Sequence, residues 1–184
     1  MRSIILTLSA LVLLACSTAK QDVPSGNKFK REFLERINKV RQKGCNCGGL
    51  YMRPVAPLVW NDHLEDAAIN HAKDMSKKNY FSHDSKDGRK IVNRIEDAGY
   101  SRKGYKSYQV GENIAQGQRT IAEVTEGWFK SPGHCQNLME PGFKEIGIAY
   151  YNTYWVQDFG GREEFSDEVK KLLKSGKARI IERN

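Results

Sequence analysis

The order of elements along the chain predicts an α+β fold, an α-β-α sandwich in which a central antiparallel sheet is flanked by helices. Three observations carry this expectation. Helical periodicity dominates residues 29–98, strand-like runs gather at 108–115 and 145–161, and a single helical segment at 120–131 lies between those runs. A regular strand-helix-strand alternation is missing, which argues against a parallel sheet. The 184 residues are enough for one domain with its own core and short appendages.

Residues 1–15 read as a secretory signal and are set aside from the fold. Arg2 supplies a short positive start, residues 4–14 are apolar but too short to span a bilayer, and Ala15 precedes Cys16. The "LLAC" ending resembles a bacterial lipoprotein signal, with Leu14 bulkier than such signals usually carry. That resemblance implies acylation of Cys16 and an exported protein held on the cell envelope by lipid, on a periplasmic or cell-surface face. Residues 16–27, small and polar with one proline, have the composition of a flexible tether.

The domain is expected over 28–161. Phe29, Phe33, Ile37 and Val40 recur at helical spacing, with Leu34 widening the stripe and Gly44 as the stop. Glycines and prolines mark "CNCGGLYMRPVAP" as loop. A second helix follows "LVWND", where Asp62 and Glu65 have the form of a capping box and Leu64, Ala67, Ala68, His71 and Met75 make one face. His71 on that face reads as a core histidine with a hydrogen-bonded ring, and His63 near the helix start as a solvated one. Residues 87–98 give a shorter helix stopped by Gly99. "YQVGENIA" alternates as a strand. "TIAEVTEGWFKS" opens on a second capping box, Thr120 with Glu123, and stops at Pro132. "EIGIAYYNTYWVQDFGG" holds two β-rich runs joined at Asn152 and Thr153, an antiparallel hairpin. Residues 162–184 form a charged tail with a short helix over 167–174.

The net charge of +8 suits acidic envelope partners, although basic envelope proteins without such partners are common. Nucleic acid is not expected as a partner. The chain carries no G-x-S-x-G elbow, H-E-x-x-H helix, P-loop or Rossmann glycine pattern. What remains for chemistry is His83 in "FSH", Glu112 in "GENI" and His134 in "SPGH". Two imidazoles and a carboxylate can ligate a divalent metal or act as an acid-base pair, provided that the fold brings them together.

Four stretches carry a resemblance: "LVWNDHLEDAAINHAKDMSKKNYFSH", "VGENIA", "VTEGWFKSPGHCQNLMEPGFKEIGIAY" and "YWVQDFG". In this order they resemble the motif blocks of the CAP superfamily of cysteine-rich secretory, antigen-5 and pathogenesis-related proteins, and in particular its short bacterial secreted SCP-domain branch. The resemblance covers about residues 29–161 and implies the same α-β-α sandwich, with a groove lined by two histidines and two acidic residues. By position these are His83, Glu112 and His134, while the second acidic position falls on Ser131. A neutral hydroxyl there removes one negative charge, so zinc would be held weakly, through His83 and His134. Glu126 lies on another side of its helix and does not obviously substitute.

With Cys16 assigned to lipid, Cys45, Cys47 and Cys135 remain in an oxidising compartment. A Cys45 to Cys47 link would close a strained small ring, so Cys135 is expected to pair with one of them; Cys47 is the choice and Cys45 the alternative. A Cys135-His134 nucleophile is disfavoured, because adjacent residues rarely point at each other. The expected function is a monomeric, non-enzymatic binding module for an envelope lipid, polymer fragment or peptide. The alternative is a metal-assisted hydrolase or peptidase using His83, Glu112 and His134.

Overall fold

The computed structural model describes residue 23 and residues 25–180. The expected signal sequence, Cys16 and most of the tether lie outside the described residues.

Helix α1 (Gly26–Arg41) buries Phe29, Phe33, Ile37 and Arg41, one residue per turn on one face. The following segment is not the continuous loop that its glycines suggest. It holds a small antiparallel hairpin, β1 (Cys45–Cys47) and β2 (Leu50–Met52), turned by Gly48 and Gly49 at φ of 64° and 99°. Paired glycines at positive φ are hairpin chemistry as much as loop chemistry. A two-residue strand, β3 (Val59–Trp60), leads into α2 (Asp62–Lys78). The cap of α2 is Asn61, whose Oδ1 accepts from the amides of His63 and Leu64 at 3.0 and 3.3 Å. The expected Asp62/Glu65 box is displaced by one residue: Asp62 is already helical, and Glu65 accepts from Trp60 Nε1 and pairs with Lys30.

Helix α3 (Ile91–Asp97) is shorter than expected at its start, because Gly88 at φ 87° and the Asp87 side chain, which accepts from the Arg89 amide, make a turn instead. Strand β4 (Ser107–Gln116) follows, then α4 (Ile121–Lys130), capped by Thr120 Oγ1 on the Glu123 amide. Pro132 ends α4 but opens another helix, α5 (Pro132–Leu138), where a missing N–H at the first position costs no bond. Strands β5 (Glu145–Tyr151) and β6 (Tyr154–Glu163) are joined by Asn152 and Thr153 at φ 44° and 75°, and α6 (Asp167–Lys174) follows.

The sheet order is β3-β5-β6-β4, antiparallel across β5, β6 and β4, with the short β3 parallel to β5 at one edge. On one face Phe33 and Ile37 of α1 and Trp128 of α4 pack on Ile148, Trp155 and Phe159. On the other, Ala68, Ala72 and Met75 of α2 pack on Ile114, Ala149 and Val156. Covered on both faces, β6 is buried from Tyr154 to Gly161. This is the expected sandwich. Among the described residues, no helix is long and apolar enough to cross a membrane.

Two features set how tightly the layers meet. Arg41 is fully buried, and its guanidinium donates to the carbonyls of Ala56, Leu138 and Phe143 at 2.8, 2.6 and 3.2 Å, tying α1 to the far end of α5. Burial pulls its pKa down to about 10. At Gly147, a Cβ would lie 2.0 Å from the backbone nitrogen of Glu65, so α2 rests directly on β5 there. Gly147→Ala is therefore expected to force the layers apart and cost about 1–3 kcal/mol, read as a lower urea midpoint. An unchanged midpoint would contradict this packing.

Candidate functional site

Strand β4 delivers Glu112 to the α2 and α3 side of the sheet, because residues two apart in a strand share a face and Ile114 lies in the α2 core. Its carboxylate is almost fully enclosed, and both oxygens are taken. Oε1 accepts from His83 Nδ1 at 2.7 Å, and Oε2 accepts from Arg94 Nη2 at 2.7 Å. Arg94, on α3, is itself buried, and its Nη1 donates to the carbonyl of His83 at 2.8 Å. One arginine thus neutralises Glu112 and fixes the backbone of the loop that carries His83. His71 of α2 closes the other side, with Nε2 at 4.0 Å from Glu112 Oε2 and 2.9 Å from the Ser82 carbonyl. It is a core histidine, and burial pushes its pKa down, so it stays neutral.

Across the sheet from Glu112 stands Asp158, its register partner in β6. Asp158 is completely buried, and among the described residues neither oxygen meets a donor. Burial, and then the neighbouring Glu112, raise its carboxyl well above the usual range. Held protonated, Asp158 can donate to Glu112.

His134 arrives from the opposite layer, on the first turn of α5. Asn113 anchors that turn: its Nδ2 donates to the His134 carbonyl at 3.2 Å and to Gln157 Oε1 at 2.8 Å. Asn137 of α5 returns the contact, donating to Asn113 Oδ1 and to the Glu112 carbonyl at 2.9 and 3.2 Å. Adjacent residues of β4, one facing each layer, therefore hold the two histidine-bearing segments. His83 lies on the first and His134 on the second.

The two rings are shifted in opposite directions. The hydrogen bond that His83 donates to Glu112 raises the pKa of His83, while burial and then the charge of His83 lower that of His134. With Nδ1 of His83 committed to Glu112, its Nε2 is left for a ligand, and half of the side chain is exposed. Ser131 is the joint between α4 and α5, half-buried and without a cap bond from its side chain. Glu126 is exposed on α4.

As a zinc site this donor set is short. A catalytic zinc takes three protein ligands, but Glu112 is occupied by Arg94 and His83, and Ser131 brings no charge. Among the described residues, the three potential ligand atoms that lie within 4.8 Å of one another are the sulfurs of Cys45, Cys47 and Cys135. Two of these form a disulfide, Cys47 to Cys135, leaving Cys45 free. The residues therefore do not fit a tightly held metal.

The sequence motifs named His83, Glu112 and His134 but not Arg94, Asp158 or the amide network of Asn113, Asn137 and Gln157. A polar pair, Gln157-Asp158, inside the otherwise uncharged, mainly apolar run 154–161 was the signal for part of it. Arg94, three residues into a short charged helix, carried no signal of burial.

The family model for the cysteine-rich secretory protein family, CAP, matches residues 34–159. An uncharacterised protein of Bacillus subtilis, YkwD, is 33% identical over 140 residues, which cover 75% of this chain and 49% of that one. A second, the uncharacterised membrane protein YlbC of the same organism, is 29% identical over 71% of this chain and 34% of its own. The chain thus spans half or less of the curated relatives it matches. Among solved structures, an extracellular SCP-domain protein of Bacillus anthracis superposes with a TM-score of 0.55 at 26% identity, over 74% of this chain and 44% of that one. An outer surface protein of Borrelia burgdorferi shares the fold with the same TM-score at 21% identity, over 74% of this chain and 91% of its own. The ordered motifs, the sandwich and a family match over most of the domain agree: this chain belongs to the CAP family of cysteine-rich secretory proteins.

Proposed function

We propose that this protein is an exported cell-envelope binding module, held at the membrane by lipid on Cys16, whose His83 and His134 surface takes an envelope lipid, polymer fragment or peptide without cleaving it. One observation carries the reading: both oxygens of Glu112 are spent inside the protein. A carboxylate clamped by Arg94 and His83 positions a ring; it is not available as a general base or a nucleophile. The name of the Bacillus anthracis relative, an extracellular protein, supports the envelope setting.

The alternative hydrolase reading has its own support. Environments that push two titratable groups apart provide an acid and a base at one pH, and His83 and His134 are shifted in opposite directions.

Calorimetry with anionic lipid vesicles, soluble peptidoglycan fragments and short peptides separates the two readings, with mass spectrometry of each ligand afterwards. Saturable binding of one class, lost in both His83→Ala and His134→Ala and leaving the ligand mass unchanged, is the expected result. A ligand recovered cleaved by wild type but intact from the variants would establish the hydrolase instead. Zinc, titrated in the same series, is expected to bind weakly, to lose that binding in either alanine variant and to bind more tightly to Ser131→Glu, which restores a charged ligand.

A further inference from the structure

Cys45 takes no part in the site described above. Cys45 and Cys47 stand two residues apart in β1, so their side chains leave the same face of the strand. Cys47 is bonded to Cys135, and the free Sγ of Cys45 lies 3.7 Å from Sγ of Cys135 and 3.8 Å from Sγ of Cys47. Access to the three sulfurs is unequal. Cys47 is 1% and Cys135 0% exposed, whereas Cys45 is half-buried and lines a surface cavity of about 500 Å³ between α1 and α4. A free thiol thus touches both sulfurs of a closed-off disulfide and is the one of the three that a dissolved molecule can approach.

We propose that Cys45, Cys47 and Cys135 form a thiol-disulfide exchange site, in which Cys45 is the accessible thiol that opens and re-forms the buried bridge. In the step, the Cys45 thiol gives its proton to water and the thiolate attacks Sγ of Cys135. The Cys45–Cys135 bond forms as the Cys47–Cys135 bond breaks, and Cys47 departs as a thiolate that takes up a proton. One thiol and one disulfide stand on each side of the reaction, so no oxidant or reductant is consumed. Attack on Cys47 would instead join two residues of one strand in a small ring, so exchange runs through Cys135.

The exchange changes what the solvent can reach. Once Cys45 is in the bridge, a small thiol in the cavity can attack it there, which it cannot do at Cys47 or Cys135. Burial raises the Cys45 thiol, so the resting site is a protonated thiol beside an intact disulfide rather than a continually scrambling one. The bridge holds β1 to α5, and Cys135 is the residue after His134. Opening it therefore removes the covalent tie on the helix that presents the second imidazole.

The test compares the purified protein with Cys45→Ser, which keeps the Cys47–Cys135 pair, and with Cys47→Ser. Wild type and Cys45→Ser are exposed to reduced glutathione, quenched in acid, alkylated and mapped peptide by peptide, so that Cys16 is read separately. Wild type is expected to open its bridge faster than Cys45→Ser, on the order of tenfold, because the variant offers only buried sulfurs. Cys47→Ser, oxidised in air and mapped without reduction, is expected to contain a Cys45–Cys135 link. Equal opening rates for wild type and Cys45→Ser, or a Cys47→Ser protein with Cys45 and Cys135 both alkylated, would overturn the proposal.

Discussion

Arg94→Met is expected to destabilise the fold by about 3–5 kcal/mol, the usual cost of removing one partner of a buried ion pair. The size follows from what the guanidinium leaves behind. Glu112 would lose its Oε2 partner in an enclosed site beside Asp158, and the His83 carbonyl would lose its donor. Urea unfolding of the single variant measures the cost. The double variant Arg94→Met with Glu112→Gln should recover part of it, because no unpaired charge then remains and coupled sites are not additive. A single variant as stable as wild type would mean that Arg94 does not neutralise Glu112 in the folded protein.

Cys135→Ser is expected to cost about 2–5 kcal/mol under non-reducing conditions. Its bridge to Cys47 spans a sequence separation of 88, and its sulfur is fully buried against Cys47 and Met139. Among the described residues no other cysteine can replace it, since Cys45 and Cys47 share one short strand. Thermal unfolding with and without reductant reads the effect. Wild type should lose stability on reduction and Cys135→Ser should not, and equal sensitivity of the two would contradict a stabilising bridge.

The sequence was most informative where one residue type serves one role. The spacing of Phe29, Phe33 and Ile37 fixed the inner face of α1, and Asn152-Thr153 marked the hairpin turn, because those patterns have few other uses. Punctuation by proline and glycine was ambiguous. Pro132 stops α4 and starts α5, and Gly48-Gly49 reads as loop yet turns a hairpin, so local chemistry alone did not distinguish loop from element. The capping box at Asp62 slipped by one residue, since Asn61 and Asp62 are both competent caps and only the packing of Trp60 and Lys30 around Glu65 decides between them. The site divided in the same way. His83, Glu112 and His134 were legible as an ordered set of motifs. The roles of Arg94 and Asp158 were not, because burial of a charged residue depends on contacts between α3, β4 and β6 that no sequence window contains.

Glu112 standing behind His83, with the two imidazoles left to meet a ligand, is tested most directly by following the ring signals of His83 and His134 through a pH titration by nuclear magnetic resonance. The Glu112 hydrogen bond should hold His83 protonated above the ordinary histidine value of about 6.5, and burial with the charge of His83 should hold His134 below it. A raised histidine stabilises the fold in its charged form. The His83 contribution should therefore be fully present below about pH 6.5 and disappear as pH rises through the folded value. His83 titrating above His134, with the gap narrowed in Glu112→Gln, is the predicted result. Two rings titrating together near the ordinary value, or His134 above His83, would contradict it.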